Sequence, residues 1–296
     1  MATKDPTSNL AERLTSNFKN PDFVRRYKLA EQLTSLFASP LITESGLTTC
    51  SPAERLTILD NACGTGAVGS VIQKILTEQG RKEWKLVCGD FSEAMVDCAK
   101  ERAEEQKWVN SEVRILDAMD MKLESGAFSH VLTGFCFPML PDNDAAFKEC
   151  LRILKPGGTY ASTNWKTTPQ IALILSSLAS LKDSLPLPES TSFQKAINKG
   201  WDDERTIIST LESHGFVDVK VTPVTDCASI SIADFVEMNR SFVPGMFGRF
   251  WSSEQMEEWI PKIPGVMRAY LEREFGVDGW VKLEPVVMVV SARKPE

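Results

Sequence analysis

Apolar and polar residues alternate along the first half of the chain in a pattern that predicts strands and helices in turn. Residues 55–60, 84–90 and 112–118 are short apolar runs (RLTILD, WKLVCGD, EVRILDA) that favour buried strands. The segments after the first two runs, GAVGSVIQKILTEQ and SEAMVDCAKERAEEQ, have helical spacing, and Ser92 is predicted to cap the second helix. The chain is therefore predicted to build strand–helix–strand units.

The second half continues this pattern less regularly. Further strands are predicted at residues 130–137, 159–165, 216–224 and 285–293, with a Lys-Pro-Gly-Gly turn at 155–158. Helices are predicted in PDNDAAFKECLRIL, IALILSSLASLKDSLPLP and DDERTIISTLESHG, with a Pro-rich loop after the second of them. Strands separated by helices imply right-handed crossovers and a mostly parallel sheet.

Three parts of the chain are predicted to have different roles. Residues 1–50 read as a helical lead-in or lid, because DFVRRYKLAEQLTSLF places apolar groups at helical spacing. Residues 51–296 form the main domain, and within it residues 225–284 interrupt the alternation before the last strand. This insertion is rich in aromatic residues and methionine, which suits either an ordinary core or an adaptable apolar lid over a pocket.

Composition excludes several classes of partner. The chain of 296 residues is 43% hydrophobic, carries a net charge of −7 and has no basic stripe, so nucleic acid is not an expected partner. No apolar run is long enough to span a bilayer, and the N-terminus lacks the apolar region of a secretory signal. Seven scattered cysteines suit a reducing compartment. We expect a cytoplasmic monomer without a membrane partner.

The stretch ILDNACGTGAVG, residues 58–69, contains the pattern G-x-G-x-x-G. In a dinucleotide fold the first glycine follows the strand directly, whereas here Asp60 ends the strand and three residues intervene before Gly64. A carboxylate at that place disfavours a pyrophosphate and attracts an ammonium group. Gly64 and Gly66 let the backbone approach a flat, uncharged ligand. The loop alone fits a nucleotide site and a tight structural turn equally well.

Acidic residues close three successive strands: Asp60, Asp90 and Asp117. Together with the K-P-G-G turn, this pattern resembles the class I S-adenosylmethionine-dependent methyltransferases. The resemblance implies a Rossmann-like α/β fold with a mostly parallel seven-stranded sheet, helices on both faces, N-terminal helices and a helical cap inserted before the last strand. It also implies S-adenosyl-L-methionine as cofactor, S-adenosyl-L-homocysteine as product, and no metal.

The same resemblance implies a set of cofactor-binding residues. Asp60 would lie near the amino-acid part of the cofactor, Asp90 would bind the ribose, and Asp117 would bind the adenine amino group. The aromatic Tyr27 of the lead-in helix would lie over the cofactor. The complete predicted set is Tyr27, Asp60, Asn61, Ala62, Gly64, Gly66, Asp90, Phe91, Met95, Asp117, Ala118, Met119 and Phe135.

A narrower resemblance is carried by the ensemble FVRRYK, ILDNACGTGAVGSV, WKLVCGDFSEAM, WVN, FKECLRIL and FWSSEQ. From about residue 15 to the end, the chain resembles the fungal bis-thiomethyltransferases that methylate both thiols of reduced gliotoxin-like epidithiodiketopiperazines. This resemblance implies thiol methylation of an apolar secondary metabolite, for detoxification or to attenuate its pathway. The predicted substrate-binding residues are Phe135, Phe137, Trp165, Phe247, Phe250 and Trp251.

No residue is predicted to act as a catalytic base. His130 opens a strand at the end away from the expected pocket, and His214 sits at a helix C-terminus, so both read as structural. Asp142-Asn143-Asp144 is explained by helix capping rather than by a metal. Without a base or a metal, a thiol or an amine is favoured as the methyl acceptor, because a thiol is partly ionised near neutral pH. The alternatives are an O- or N-methyltransferase, and a non-catalytic protein that only binds the cofactor.

Overall fold

The structure of the protein is a computed structural model that describes residues 18, 20–51, 53–181, 185–247 and 250–296. The first part of the predicted lead-in, residues 1–17, therefore lies outside the described residues. The same holds for residues 182–184 of the Leu/Ser-rich segment and for residues 248–249 of the insertion.

Nine strands and eleven α-helices follow one another along the described ranges. The strands are β1 Leu56–Asn61, β2 Trp84–Asp90, β3 Ser111–Ile115, β4 Phe128–Gly134, β5 Leu154–Thr167, β6 Val217–Thr225, β7 Ala228–Ser231, β8 Trp280–Leu283 and β9 Val286–Arg293. The helices are α1 Pro21–Thr34, α2 Ala38–Glu44, α3 Ala67–Glu78, α4 Glu93–Glu105, α5 Asn143–Ile153, α6 Pro169–Leu178, α7 Ser190–Asn198, α8 Glu204–Ser213, α9 Ile232–Phe247, α10 Ser253–Trp259 and α11 Ile263–Phe275.

Seven of the strands form one sheet in the order β3-β2-β1-β4-β5-β9-β6. The strands from β3 to β5 are all parallel, and β9 runs antiparallel between β5 and β6. Because β1 lies between β2 and β4, the order of the strands reverses there, and a ligand crevice opens at such a point in α/β sheets. The predicted mostly parallel seven-stranded sheet is confirmed.

Helices cover both faces of this sheet, as predicted. One core joins Phe147 of α5 and Ile207 of α8 to Tyr160 of β5. The other core joins Leu41 of α2 and Ile72 of α3 to the opposite face. Both faces of the central strands are buried in this way, which explains why β1, β2 and β4 read as nearly continuous apolar runs.

The insertion before the last strand forms a cap with its own core. It contains α9, α10 and α11, as expected of a helical cap, and it also contains β7 and β8, which pair antiparallel and were not predicted. Its core packs against α6 and joins Phe235 and Phe247 to Ile174 and Leu178. The predicted division of the chain at residues 50, 225 and 284 stays a prediction.

The lead-in helix α1 crosses the cap helix α9. Arg26 donates to Glu237 at 2.9 Å, and the rings of Phe23 and Phe242 lie 5.3 Å apart at 74°. This contact joins two segments that are more than 200 positions apart in the sequence. It places α1 and α9 together above the carboxyl ends of the parallel strands.

Several boundaries differ from the predicted ones. Strands β3 and β4 end at Ile115 and Gly134, earlier than predicted, so the residues after them form the turns that line a crevice. The segment predicted as a turn at 155–158 belongs to β5, because a register shift lets β4 pair with residues on both sides of it. Helix α7 lies in the segment predicted as a Pro-rich loop and buries Phe193.

No helix in the described ranges is both long enough and apolar enough to cross a bilayer. All seven cysteines are free thiols. The monomeric state and the cytoplasmic location stay predictions.

Gly66 is required by the packing of the turn between β1 and α3. It caps α3 with a φ of 86°, in the left-handed region. A Cβ there would lie 3.2 Å from the ring of Trp108 and 3.3 Å from Ala99. The second glycine of the motif therefore lets the helix pack against its neighbours, and its expected role in approaching the ligand stays a prediction.

Gly66→Ala should destabilise the protein more than Gly80→Ala, which changes the glycine at the other end of the same helix. Both glycines have positive φ, which costs alanine about 1–2 kcal/mol, but a Cβ at Gly80 meets nothing within 4 Å. The free energy of unfolding, measured by urea denaturation, should fall further for Gly66→Ala because Trp108 must also move. Equal losses would show that the close packing at Gly66 contributes nothing.

Candidate active site

A crevice lies at the carboxyl ends of β1, β2, β3 and β4. Its larger cavity is lined by ten of the residues predicted for the cofactor. They are Tyr27, Ala62, Gly64, Asp90, Phe91, Met95, Asp117, Ala118, Met119 and Phe135. A smaller cavity continues from it towards Asp60, and the two share Tyr27, Ala62, Gly64, Gly134 and Phe135. The tertiary structure thus brings most of the predicted set together.

Asp90 holds two loops of the crevice in place. One carboxylate oxygen accepts from Gly64 N and the other from Ser92 N, both at 2.9 Å. Ser92 then caps α4 as predicted, because its hydroxyl accepts from Met95 N at 3.2 Å. Burial raises the pKa of Asp90 to about 6, and the N–H donors oppose that rise. A carboxylate oxygen has two lone pairs, so each can still accept from a ligand.

Asp60 is almost completely buried beneath the glycine turn. Its carboxylate accepts from Gly69 N at 3.0 Å, which satisfies a free donor in the first turn of α3. Burial raises its pKa to about 7; the bond from Gly69 lowers it and the nearby Asp90 raises it further. A cationic group in the adjoining cavity would favour the charged form of this acid.

The far end of the larger cavity is formed by the turn after β3. Asp117 is exposed there and accepts from Met119 N at 2.9 Å. Leu116 and Ala118 are buried beside it and line the cavity with apolar surface. The Asp117 carboxylate is a hydrogen-bond acceptor at the rim of an apolar slot. This arrangement suits a flat heteroaromatic ring that carries an amino group.

Helix α1 covers the glycine turn through one of its faces. The ring of Tyr27 lies 4.0 Å from the position a Cβ would take on Gly64. Glu31 pairs with Arg102 of α4 at 2.6 Å and also accepts from the hydroxyl of Thr65 in the turn. Burial, and then the Glu31 carboxylate, raise the pKa of Tyr27 to about 12, so it stays a neutral phenol.

Glu31 and Thr34, which line the smaller cavity beside Tyr27, were not among the predicted residues. The spacing of Tyr27, Glu31 and Thr34 by four and then three positions is the signal that could have identified them, because it places all three on one helix face.

Phe135 lies where the crevice meets a third, apolar cavity, and it lines all three cavities. Its φ of 55° is in the left-handed region, as is that of Ala62 at 54°, so the backbone is strained immediately after β4 and β1. Its ring stacks on Trp165 with a centroid distance of 4.3 Å. Strain held in place by packing at a crevice is typical of a functional site.

The apolar cavity lies between β5, α6 and α7 on one side and α1 and α9 on the other. Apolar side chains dominate its lining, and none of the described residues that line it is charged. Three of its lining residues, Met238, Phe242 and Met246, occur at intervals of four along α9. The complete lining is Phe18, Tyr27, Ala30, Leu33, Thr34, Phe135, Pro138, Met139, Trp165, Thr168, Gln170, Ile171, Ile197, Asn198, Met238, Asn239, Phe242 and Met246.

Five of the predicted ligand-binding residues do not line these cavities, and their contacts are with other protein side chains. Asn61 is fully buried and donates to the Thr133 hydroxyl at 3.3 Å. Phe137 is fully buried and stacks on Phe147 at 4.4 Å. The other three, Phe247, Phe250 and Trp251, pack with Phe193 or with one another in the core of the cap.

Four residues of the predicted substrate set therefore lie outside the apolar cavity, and their role towards substrate stays a prediction. The side chain of Trp251 also donates to Pro186 O at 2.9 Å, which anchors the cap to the segment before α7. Of that set, Phe135 and Trp165 line the apolar cavity, and their role towards substrate stays a prediction. The other four are aromatic residues at the expected pocket mouth or in the cap, and aromatic residues serve equally as core.

Both histidines lie away from the cavities. His130 is buried at the start of β4, next to Ser129 and Cys50, and burial lowers its pKa to about 4. His214 follows α8, interacts with Thr210 O at 2.7 Å and lies 3.2 Å from Asp144. Asp142 caps α5 by accepting from Ala145 N, as predicted. Within the described ranges, no cluster of three or more His, Cys, Asp or Glu residues suits a metal ion.

Sequence comparisons identify relatives over nearly the whole chain. A family profile described as a methyltransferase domain matches residues 58–158. The methyltransferase tpcH of Aspergillus fumigatus is 38% identical over 94% of this chain and 98% of its own length. The acetylaranotin bis-thiomethyltransferase of Aspergillus terreus is 34% identical over 96% of this chain and 98% of its own length.

Structural comparison finds the same fold in more distant proteins. A phosphoethanolamine N-methyltransferase 2 of Haemonchus contortus, solved with S-adenosylhomocysteine and phosphomonomethylethanolamine, superposes with a TM-score of 0.54 at 16% identity. The match covers 94% of this chain and 60% of that one. At this identity the likeness establishes the fold, and the predicted class I methyltransferase fold is confirmed.

Asp60→Asn should remove part of the pH dependence of stability measured without ligand. The folded-state pKa of Asp60, about 7, lies above its unfolded value, so the folded protein binds more protons and stability falls as pH rises from about 4 to about 7. The amide stays neutral and can still accept from Gly69 N. We therefore expect a higher melting temperature than wild type at pH 8 and a similar one at pH 4.

Asp117→Asn, at an exposed carboxylate, is the matched control, and its melting temperature should depend on pH as that of wild type does. If Asp60→Asn also shows the wild-type dependence, Asp60 titrates as an ordinary surface acid.

Proposed function

We propose that this chain, which belongs to the S-adenosylmethionine-dependent methyltransferase family, methylates the thiols of an uncharged dithiol metabolite. The reduced form of an epidithiodiketopiperazine is the acceptor class that we favour. Support comes from the relative named as an acetylaranotin bis-thiomethyltransferase, which aligns with 96% of this chain. We further propose that this capping detoxifies such a metabolite or attenuates its pathway.

The residues of the crevice fit S-adenosylmethionine. The smaller cavity offers the Asp60 and Glu31 carboxylates to an ammonium group. The larger one offers Asp90 to ribose hydroxyls and the Asp117 turn to adenine. Because Gly64 has no side chain, the backbone there can approach the ligand closely. The Tyr27 ring covers this glycine. When bound there, this cofactor supplies a methyl group activated on a sulfonium centre.

The chain's own contribution to the transfer is alignment and exclusion of water. Phe135 and Tyr27 line both the crevice and the apolar cavity, so an acceptor held in the apolar cavity faces the cofactor between these rings. Methyl transfer is an in-line displacement, and positioning of the two reactants can supply most of the required acceleration. Apolar walls also keep water from the reacting atoms.

The observation that carries the proposal is the absence of a suitable base among the described residues that line the apolar cavity. Its titratable side chain is Tyr27, whose pKa is raised to about 12 by burial. A hydroxyl acceptor would need a group that removes its proton, whereas a thiol with a pKa near ~8.5 is partly ionised at neutral pH. A thiol therefore suits this cavity best.

Asp90→Ala should weaken binding of S-adenosylmethionine by more than about tenfold, because each hydrogen bond from a ribose hydroxyl to a carboxylate contributes about 1.5–3 kcal/mol. Isothermal titration calorimetry measures this loss, and circular dichroism checks the fold. Asp120→Ala, at an exposed acid that pairs with Lys122, is the control and should bind normally. Affinity within twofold of wild type would remove Asp90 from the site.

The pH dependence of kcat/KM should follow the thiol pKa of the substrate. Dithiols of different intrinsic pKa should give profiles displaced from one another by the difference between those pKa values, because ionisation occurs on the substrate. His130→Gln and His214→Gln should leave each profile in place, since both side chains lie outside the cavities.

The competing outcome is a profile that stays fixed across substrates and disappears with one histidine. The enzyme would then supply the base, and the argument for a thiol would fail. Methylation of phenols or amines in preference to dithiols would replace the proposal with an O- or N-methyltransferase.

A further inference from the structure

Two carboxamides are buried in the wall of the apolar cavity. Asn239 of α9 is 3% exposed, and Asn198 at the end of α7 is 2% exposed. They belong to the two sides of the cavity, since α9 lies beside α1 whereas Asn198 donates to Trp165 O of β5 at 3.1 Å. The cavity that they line is dominated by apolar side chains, among which an unused polar group is costly.

Asn239 is not required by the packing of its helix. Its Nδ2 donates to Phe235 O at 2.8 Å, one turn back along α9. In α-helical geometry that carbonyl already accepts from the backbone N–H of residue 239, so an apolar side chain would leave no backbone group unpaired. Leucine has a similar size and would fit the apolar surroundings without burying a polar group. A carboxamide at this position therefore points to a ligand.

The carboxamide of Asn239 lines the cavity and still has hydrogen-bonding capacity. One N–H of Asn239 is used by Phe235 O, which leaves the second N–H and the carbonyl oxygen. Nearby, the Thr168 hydroxyl and the Gln170 carbonyl oxygen are buried without a partner among the described residues, and both residues line the same cavity. Buried polar groups are normally satisfied, so these atoms also indicate a polar ligand.

We propose that Asn239, assisted by Asn198, binds amide groups of the acceptor and thereby selects dithiols built on an amide-containing ring. This inference rests on the proposed function, because it names what the same cavity recognises beyond the thiols. Asn239 is a specificity-determining residue that touches the substrate away from the reacting sulfur.

The chemistry of the wall favours an amide over other polar groups. A carboxylate, phosphate or ammonium group would lose its hydration without gaining an ion pair, since none of the described lining residues is charged. An amide offers a carbonyl acceptor, and a secondary amide adds an N–H donor, which match the remaining donor and acceptor of Asn239. Two carboxamides on opposite walls suit a compact ring that carries an amide on each side.

The test compares wild type with Asn239→Leu on two dithiols of equal ring size. One is a reduced dithiol of a cyclic dipeptide, which carries two amides, and the other is a cyclohexane dithiol, which carries none. The ratio of kcat/KM for the amide substrate over the amide-free substrate should fall about tenfold in Asn239→Leu, the loss expected of one neutral hydrogen bond. The change should appear in KM rather than kcat, because Asn239 binds ground and transition states alike.

Met246→Leu is the matched control, since Met246 lines the same cavity from the same helix. It should alter both substrates to a similar extent and leave their ratio unchanged. Melting temperatures of both variants should match wild type, which shows that neither effect arises from partial unfolding. If wild type and Asn239→Leu methylate the two dithiols with the same ratio of kcat/KM, the inference is wrong. The proposed function would still stand.

Failure of the proposed function gives a different result. Calorimetry with the sulfur-free cyclic dipeptide, in the presence of S-adenosylhomocysteine, measures amide recognition without methyl transfer. If wild type binds this ring about tenfold more tightly than Asn239→Leu does, amide recognition is supported even when no thiol is methylated. If neither protein binds the ring and the amide dithiol is not preferred, the inference is wrong.

Discussion

The carboxylate of Asp90 organises the ligand crevice through its two bonds to backbone N–H groups. One bond fixes Gly64 after β1, and the other fixes Ser92 at the start of α4. Ser92 in turn caps α4 and donates to Phe18 O, which holds the segment before α1 against the sheet. One strand-end acid thus positions the glycine turn, the next helix and the lead-in, at the point where the strand order reverses.

Covering this crevice requires parts of the chain that are far apart in sequence. Helix α1 covers the glycine turn through Tyr27 and Glu31, and α9 of the cap is tied to α1 by the Arg26–Glu237 pair. Between the crevice and the apolar cavity lies Phe135, held in a left-handed conformation and stacked on Trp165. The molecule therefore has an acidic crevice and an uncharged cavity, and the rings of Phe135 and Tyr27 line both.

The difference between these cavities corresponds to the two reactants of the proposed reaction. Buried carboxyls with raised pKa values lie in the crevice, where a cationic ligand would favour their charged forms. The apolar cavity has no charge among its described residues, and its polar groups are neutral amides and hydroxyls. Such a cavity can orient an acceptor and exclude water, but it leaves the ionisation of the nucleophile to the substrate.

The sequence by itself determined the sheet, the order of its elements and most of the crevice, because these depend on local signals. Apolar runs mark buried strands, and acids at the ends of parallel strands must meet at one edge. Only the tertiary structure decided which aromatic residues line the apolar cavity. Phe137, Phe247 and Trp251 look like cavity residues in sequence, yet they pack into cores, whereas Asn198 and Asn239 reach the cavity through the crossing of distant helices. Hydrophobicity predicts burial, but the direction in which a buried side chain points depends on how helices from different parts of the chain pack together.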